Sequence, residues 1–226
     1  MIVLFEDRAH AGRALAQAVR EECADDLTQG DAIVLGLPRG GVPVAFEVAR
    51  GLHLPLDVFI VRKLGVPGQE ELAMGALASG GVIVLQRDVI DAYQISRETI
   101  EEAAAQERIE IHRREAAYRS GRPPAVLRGR TVILVDDGLA TGATMKAAVR
   151  ALRPIARRIL VAVPVAAFHT CQELSGEVDR VVCIETPESF HAVGEFYRNF
   201  EQTSDDEVCG LLARAREAAP GATAPH

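Results

Sequence analysis

The chain has 226 residues, 48% of them hydrophobic and 4% aromatic, with 25 Lys and Arg against 32 Asp and Glu and a formal net charge of -7. That length and apolar share can bury a full core in a single domain spanning 1–226 with an embellishment, and the acidic balance excludes the broad basic surface of a general nucleic-acid binder. No apolar run reaches the roughly eighteen residues of a membrane span, and Glu6 and Asp7 stand where a secretory leader carries positive charge, so a cytoplasmic protein without membrane or nucleic-acid partners is expected.

Asp7 is a plausible N-cap for a first helix whose apolar positions Ala14, Leu15, Ala18 and Val19 fall at helical spacing, which leaves Arg8 and His10 as a solvated first turn. Residues 31–37 (DAIVLGL) read as a buried strand, followed by Pro38-Arg39-Gly40-Gly41 and a helix over 42–52. A helix N-terminus with an arginine in its loop can hold an anion. Residues 56–61 (LDVFIV) read as the next strand, ending at Arg62 and Lys63. Cations at the carboxyl end of a parallel strand lie on the edge where open α/β sheets bind ligands. Lysine occurs only at Lys63 and Lys146, which singles out the first of them. Residues 64–72 carry glycines and a proline without a period and predict a mobile loop. Residues 73–78 and 82–85 around Gly80-Gly81 predict a hairpin or two short strands.

Residues 88–122 form a helical insertion. Ser96 caps it, Glu98, Glu101 and Glu102 fill its first turns, and Arg113, Arg114 and Arg119 fill its last. Its apolar stripe, Ile100, Ala104, Ile111 and Ala116, is thin, which predicts a long helix on the surface or against a partner: a hood over the acceptor site or a dimer arm.

The most informative stretch is 131–149, TVILVDDGLATGATMKAAV. Residues 132–135 have the aliphatic, β-branched run of a strand buried on both faces, and the run stops at Asp136 and Asp137. Gly138, Leu139, Ala140, Thr141, Gly142, Ala143 and Thr144 then make a short loop into a helix over 145–152. Glycines let such a loop aim several amides at one anion, with the Thr141 and Thr144 hydroxyls and the helix dipole assisting. The natural guest is phosphate. The acidic pair beside it would accept hydrogen bonds from sugar hydroxyls or hold a hard divalent cation through water. A receiver-like Mg²⁺ site also uses paired aspartates, whereas the Gly-Lys-Ser/Thr of a Walker loop and the spaced glycines of a dinucleotide fingerprint are absent.

Strands over 158–165 and 178–184 with a helix over 167–174 complete the alternation of a doubly wound parallel sheet. Residues 185–205 gather Phe190, Phe196, Tyr197 and Phe200, which suits either a pocket for a flat heteroaromatic acceptor or a packed amphipathic helix. Residues 219–226 are small and proline-rich and predict a frayed tail. Cys23, Cys171, Cys183 and Cys209 form no CxxC pair, so neither a metal knot nor a disulfide framework is expected, and Cys183 lies in an apolar run that reads as core.

VILVDDGLATGAT resembles the phosphoribosyl pyrophosphate (PRPP) signature of type I phosphoribosyltransferases, and the resemblance extends over the sheet, roughly residues 30–87 and 123–185. It implies a type I phosphoribosyltransferase fold and Mg²⁺-dependent transfer of 5-phosphoribosyl from PRPP to a nitrogenous acceptor, in a homodimer. It further implies that residues 139–143 and the hydroxyls of Thr141 and Thr144 hold the 5-phosphate. Asp136 and Asp137 would hold the ribose hydroxyls, partly through the metal; Arg39 and Gly40 would hold pyrophosphate, in a loop of unusual backbone conformation. Arg62 or Lys63 would offset charge on the leaving group, and 64–72 would be the loop that closes. Ala140 replaces the aspartate that can act as general base in hypoxanthine-guanine enzymes, and Gly138 replaces an aliphatic residue of adenine enzymes, so the resemblance does not name the base. A PRPP-binding regulator, or a catalytically silent protein of the same fold, is the alternative.

Overall fold

The structure, a computed structural model, describes residues 4–27 and 31–218; the 219–226 tail lies outside them. Five strands, β1 (Ala32–Gly36), β2 (Leu56–Val58), β6 (Thr131–Val135), β7 (Arg158–Val165) and β8 (Arg180–Glu185), form a parallel sheet in the order β2-β1-β6-β7-β8. The three central strands are apolar on both faces because helices cover both. Val34, Ile133, Val135, Leu160 and Ala162 meet the layer of α1 (Arg8–Glu22), α3 (Gly41–Leu52) and α8 (Asp205–Glu217), whereas Ile33, Leu35, Val132, Leu134, Val161 and Val163 meet α6 (Ala143–Leu152) and α7 (Phe168–Ser175). A four-residue helix, α2 (Ala24–Leu27), follows α1.

Chain direction across the sheet reverses between β1 and β6. From β1 the chain crosses through α3 to β2 on one side, and from β6 it crosses through α6 to β7 on the other. Such a switch point leaves a crevice at the carboxyl ends of the two central strands, because the loops leaving them diverge to opposite faces. The register, Gly36 opposite Val135, brings the loop after β1 level with the loop after β6.

The run 56–61 is divided between two sheets. β2 ends at Val58, and the chain re-enters as β3 (Val61–Val66), which pairs antiparallel with β4 (Gln69–Ala78), itself paired with β5 (Val82–Leu85). The hairpin expected over 73–85 is present. The loop expected over 64–72 is instead the end of β3, a turn at residues 67–68 and the start of β4, with register shifts at Leu64/Gly65 and Gly65/Val66. Leu64 and Val66 are buried on one face of this three-stranded antiparallel sheet, the hood of the fold, and that anchoring makes strands of a stretch whose glycines read as loop.

The insertion resolves into α4 (Arg87–Ala92) and α5 (Arg97–Arg119), with the Ser96 hydroxyl accepting from the Thr99 amide at 3.1 Å. Its expected surface position is corrected. Ile100, Ala104, Ile111 and Tyr118 enter the main core beside Val208 and Leu212 of α8. The stripe is thin because a buried ion pair does part of the anchoring. Arg119 reaches both Asp57 oxygens at 3.0 and 3.2 Å, the Val58 carbonyl at 3.0 Å and Glu115 at 3.0 Å. Removing one partner of a buried pair strands the other charge. Arg119→Met should therefore cost about 3–5 kcal/mol in urea unfolding; a loss below about 1 kcal/mol, the range of an exposed pair, would show that the clip does not anchor the helix.

Candidate active site

β6 ends at Asp136-Asp137, and β1 brings residues 38–41 alongside, with the Leu37 amide donating to the Val135 carbonyl at 3.0 Å. The Pro38–Arg39 peptide is cis. A Cβ on Gly40 would lie 2.2 Å from Asp137 Oδ2. Glycine is what lets the two loops meet.

The acidic pair is largely enclosed. Burial, and then the neighbouring Asp137, raises the Asp136 carboxyl well above the usual carboxylate range. Burial also raises Asp137, against the opposing pull of Arg8. The Asp137 amide donates to Asp136 Oδ1 at 2.9 Å, and Arg8 Nε donates to Asp137 Oδ2 at 2.8 Å. Among the described residues, the second oxygen of each aspartate receives no N–H from another residue. The two side chains also hydrogen-bond each other, so the pair meets a guest as one coupled acidic unit.

Beyond them the loop is pinned on one side and open on the other. The Leu139 amide donates to Val165 O at 3.0 Å, the Ala167 amide to Leu139 O at 2.9 Å, and the Thr170 hydroxyl to Ala140 O at 2.5 Å. Gly142, at φ 65°, caps α6 in the left-handed region. Among the described residues, the amides of Ala140, Thr141, Gly142 and Thr144 have no partner. Four unsatisfied donors at the N-terminus of a ten-residue helix form an anion nest.

The exposed side of this loop opens on a cavity of about 610 Å³ roofed by the hood, where Thr141, Ala143 and Thr144 face Lys63 of β3 and Arg87 at the start of α4. Strand alternation separates the two cations that sequence reasoning grouped. Lys63 points into the cavity, whereas Arg62 points to the opposite face and pairs with Glu107 of α5 at 2.6 Å. Neither cation stands at the end of a parallel strand; both are hood residues. On α6, Lys146 pairs with Glu173 of α7 and Arg150 with Glu177 in the turn after it, so these cations are already neutralised. Lys63, Arg87 and Arg39 form no ion pair among the described residues. Those residues also contain no cluster of three or more His, Cys, Asp or Glu side chains able to hold a metal alone, and no helix long and apolar enough to cross a membrane.

A family model described as "Phosphoribosyl transferase domain" matches residues 6–201. The chain belongs to the phosphoribosyl transferase domain family. Two curated relatives from Mycobacterium tuberculosis, strains CDC 1551 and H37Rv, each named "Putative phosphoribosyl transferase", are 48% identical over 213 residues, which is 94% of this chain and 47% of theirs. The chain thus spans about half the length of the curated relatives it matches. A crystal structure of the protein TT1426 from Thermus thermophilus is similar at 42% identity with a TM-score of 0.80, covering 93% of this chain and 98% of that one.

The fold sets Asp136, Asp137, the 138–144 loop and the 38–41 loop with Arg39 and Gly40 around the switch point, places Lys63 across the cavity from Thr141 and Thr144, and leaves Arg62 outside. Sequence reasoning missed Arg8. It occupies the first turn of α1, yet its side chain is only 12% exposed. The aromatic residues form neither a helix nor an open platform: Phe190 packs on Phe196 at 5.3 Å, and Tyr197 packs on Phe5 and Phe200 at 5.5 and 5.0 Å, around a 3₁₀ turn at Val193–Phe196. This strap crosses the signature loop. Val193 approaches Gly138 so closely that a Cβ there would meet it at 2.6 Å, which gives a local reason for glycine at the position where the resemblance puts an aliphatic residue in adenine enzymes. Burial raises the Tyr197 phenol, so it stays protonated and donates to the Asp137 carbonyl at 2.6 Å.

A carboxyl whose pKa is higher folded than unfolded contributes stability that is complete below the unfolded value, near 3.8, and is lost as pH rises through the folded one. Asp136→Asn should therefore raise the midpoint of thermal unfolding at pH 7, by about 2–4 °C per kcal/mol recovered, with the gap to wild type closing towards pH 4. A variant less stable than wild type at pH 7 would mean that the ionised Asp136 carboxylate is favourably held.

Proposed function

We propose that this domain transfers 5-phosphoribosyl from PRPP to a nitrogenous, nucleobase-like acceptor and releases pyrophosphate. The observation that supports this best is the meeting, at one switch point, of four unsatisfied amides, a coupled pair of carboxyls and a second glycine loop bearing Arg39. A phosphate and a vicinal diol on one sugar satisfy both sets of groups.

In this reading the amides and hydroxyls of 140–144 hold the 5-phosphate, and Asp136 and Asp137 accept from the 2- and 3-hydroxyls. The sugar is then fixed at both ends with C1 towards the hood. The bond from C1 to the pyrophosphate oxygen breaks, the acceptor nitrogen bonds to C1, and any proton on that nitrogen leaves to solvent or to the departing pyrophosphate. Arg39 with the Gly40 backbone cradles pyrophosphate, and Lys63 faces the charge that grows on it. Arg62, tied to Glu107, has no part in this. The hood excludes water from a carbon with cation character. Two hard carboxylates without a third protein ligand fit Mg²⁺ held mainly through substrate oxygens and water, rather than a closed protein cage. When bound, the ion supplies charge neutralisation on the pyrophosphate. Ala140 offers no side-chain base and its carbonyl is taken by Thr170, which disfavours a 6-oxopurine that relies on a base at that position. Four free thiols fit a reducing compartment such as the cytoplasm.

Calorimetry with Mg²⁺ and PRPP, followed by pyrophosphate release over a panel of purine, pyrimidine and other nitrogen acceptors, tests the reaction. Binding with release on one acceptor is expected; binding without release on any would favour a PRPP sensor. Asp136→Asn with Asp137→Asn should abolish release with an unchanged circular dichroism spectrum. Lys63→Ala should lower kcat by about 100-fold and PRPP affinity much less, because its charge matters most as the leaving group departs; equal losses in both would make it a ground-state binding residue.

A further inference from the structure

We infer that Arg8, on the first turn of α1, is a positioning residue for the sugar-binding carboxylate of Asp137, and that the strap at residues 196–201 holds it in that role. The inference rests on the phosphoribosyl reading above. It adds the N-terminal helix and the strap to the working parts of the site.

Arg8 is held from three sides. Its Nε donates to Asp137 Oδ2 at 2.8 Å, its Nη1 donates to the Glu201 carbonyl at 2.6 Å, and its guanidinium lies 3.9 Å from the centre of the Phe200 ring. Both partners in the ion pair are nearly enclosed, at 12% and 13% side-chain exposure. The strap is itself fixed: the Phe5 amide donates to Phe196 O at 3.0 Å, the Arg198 amide to Phe5 O at 2.9 Å, and the Asn199 amide to Glu6 O at 2.9 Å. Asp7 caps α1 by accepting from the His10 amide at 2.7 Å. The arginine therefore emerges from a capped helix start and a paired backbone, with little freedom to turn elsewhere.

The consequence lies on the carboxylate. With Oδ2 engaged by Arg8 beside Gly40, its side chain also bonded to Asp136 and its carbonyl engaged by Tyr197, Asp137 is held in a single orientation towards a guest. A carboxylate free to rotate would offer either oxygen in many orientations, and a diol would have to order it on binding. Arg8 does not itself reach the sugar in this arrangement; it acts through Asp137. A lysine can retain the contact with Asp137, although not the fork that also reaches Glu201.

A double-mutant cycle read by calorimetry with Mg²⁺ and PRPP tests this, using wild type, Arg8→Met, Asp137→Asn, the double variant and Arg8→Lys. Arg8→Met should weaken PRPP binding by at least about tenfold, and the double variant should bind within about threefold of Asp137→Asn alone, because the arginine has nothing left to orient. Arg8→Lys should recover most of the loss. If Arg8→Met binds PRPP as wild type does, or if its loss adds in full to that of Asp137→Asn, the positioning role is overturned and the pair is only structural. Should Arg8→Met fail to fold, Phe200→Leu, which removes the platform and keeps both charges, should weaken PRPP binding by a few-fold; unchanged affinity would overturn the role equally. Wild-type protein that does not bind PRPP would refute the phosphoribosyl reading itself, an outcome distinct from any variant's behaviour.

Discussion

The site depends on the parallel pairing of β1 with β6, in the register that sets Gly36 opposite Val135. One pleat of slip would turn the side chains of β6 to the wrong faces and move the acidic pair away from the loop at residues 38–41. In the observed register the Leu37 amide closes on Val135 O, Gly40 meets Asp137, and two loops with quite different sequences share one crevice. Reversal of the winding between these two strands then keeps their helices apart, so the crevice stays open to a ligand.

Around that crevice, charge is distributed by pairing. Cations on α6 are neutralised by carboxylates on α7 and in the turn after it, Arg62 is neutralised by Glu107, and Arg119 is locked to Asp57 and Glu115. Among the described residues, Lys63 and Arg87 form no ion pair and line the cavity onto which the loop with four unsatisfied amides opens. The acidic pair shows the complementary pattern: burial makes ionisation of its carboxyls costly, which raises both pKa values, and a diol or a cation would relieve that cost. A folded chain retains unsatisfied groups of both signs together where a ligand compensates them.

The signature strand, its acidic end and the loop to α6 were legible in the sequence because their physics is local. A β-branched run, two aspartates and spaced glycines specify strand, exit and turn within a dozen residues. The division of 56–61 between two sheets was not legible, since an apolar run looks the same whichever buried sheet it joins. α5 looked like a surface helix because its thin stripe does not reveal the Arg119 clip, whose partner Asp57 lies 62 residues away. Arg8 was hidden for a related reason. A charged residue after an N-cap is solvated unless something distant covers it, and the covering strap arrives from near the other end of the described chain.

The central claim, that the 138–144 loop takes a sugar phosphate while the 38–41 loop takes pyrophosphate, is tested most directly by amide hydrogen exchange with Mg²⁺ and either PRPP or ribose 5-phosphate. PRPP should slow exchange in both loops. Ribose 5-phosphate, which lacks the pyrophosphate, should slow exchange only in 138–144. Protection of 38–41 by ribose 5-phosphate, or protection by PRPP that leaves 138–144 untouched, would contradict the assignment.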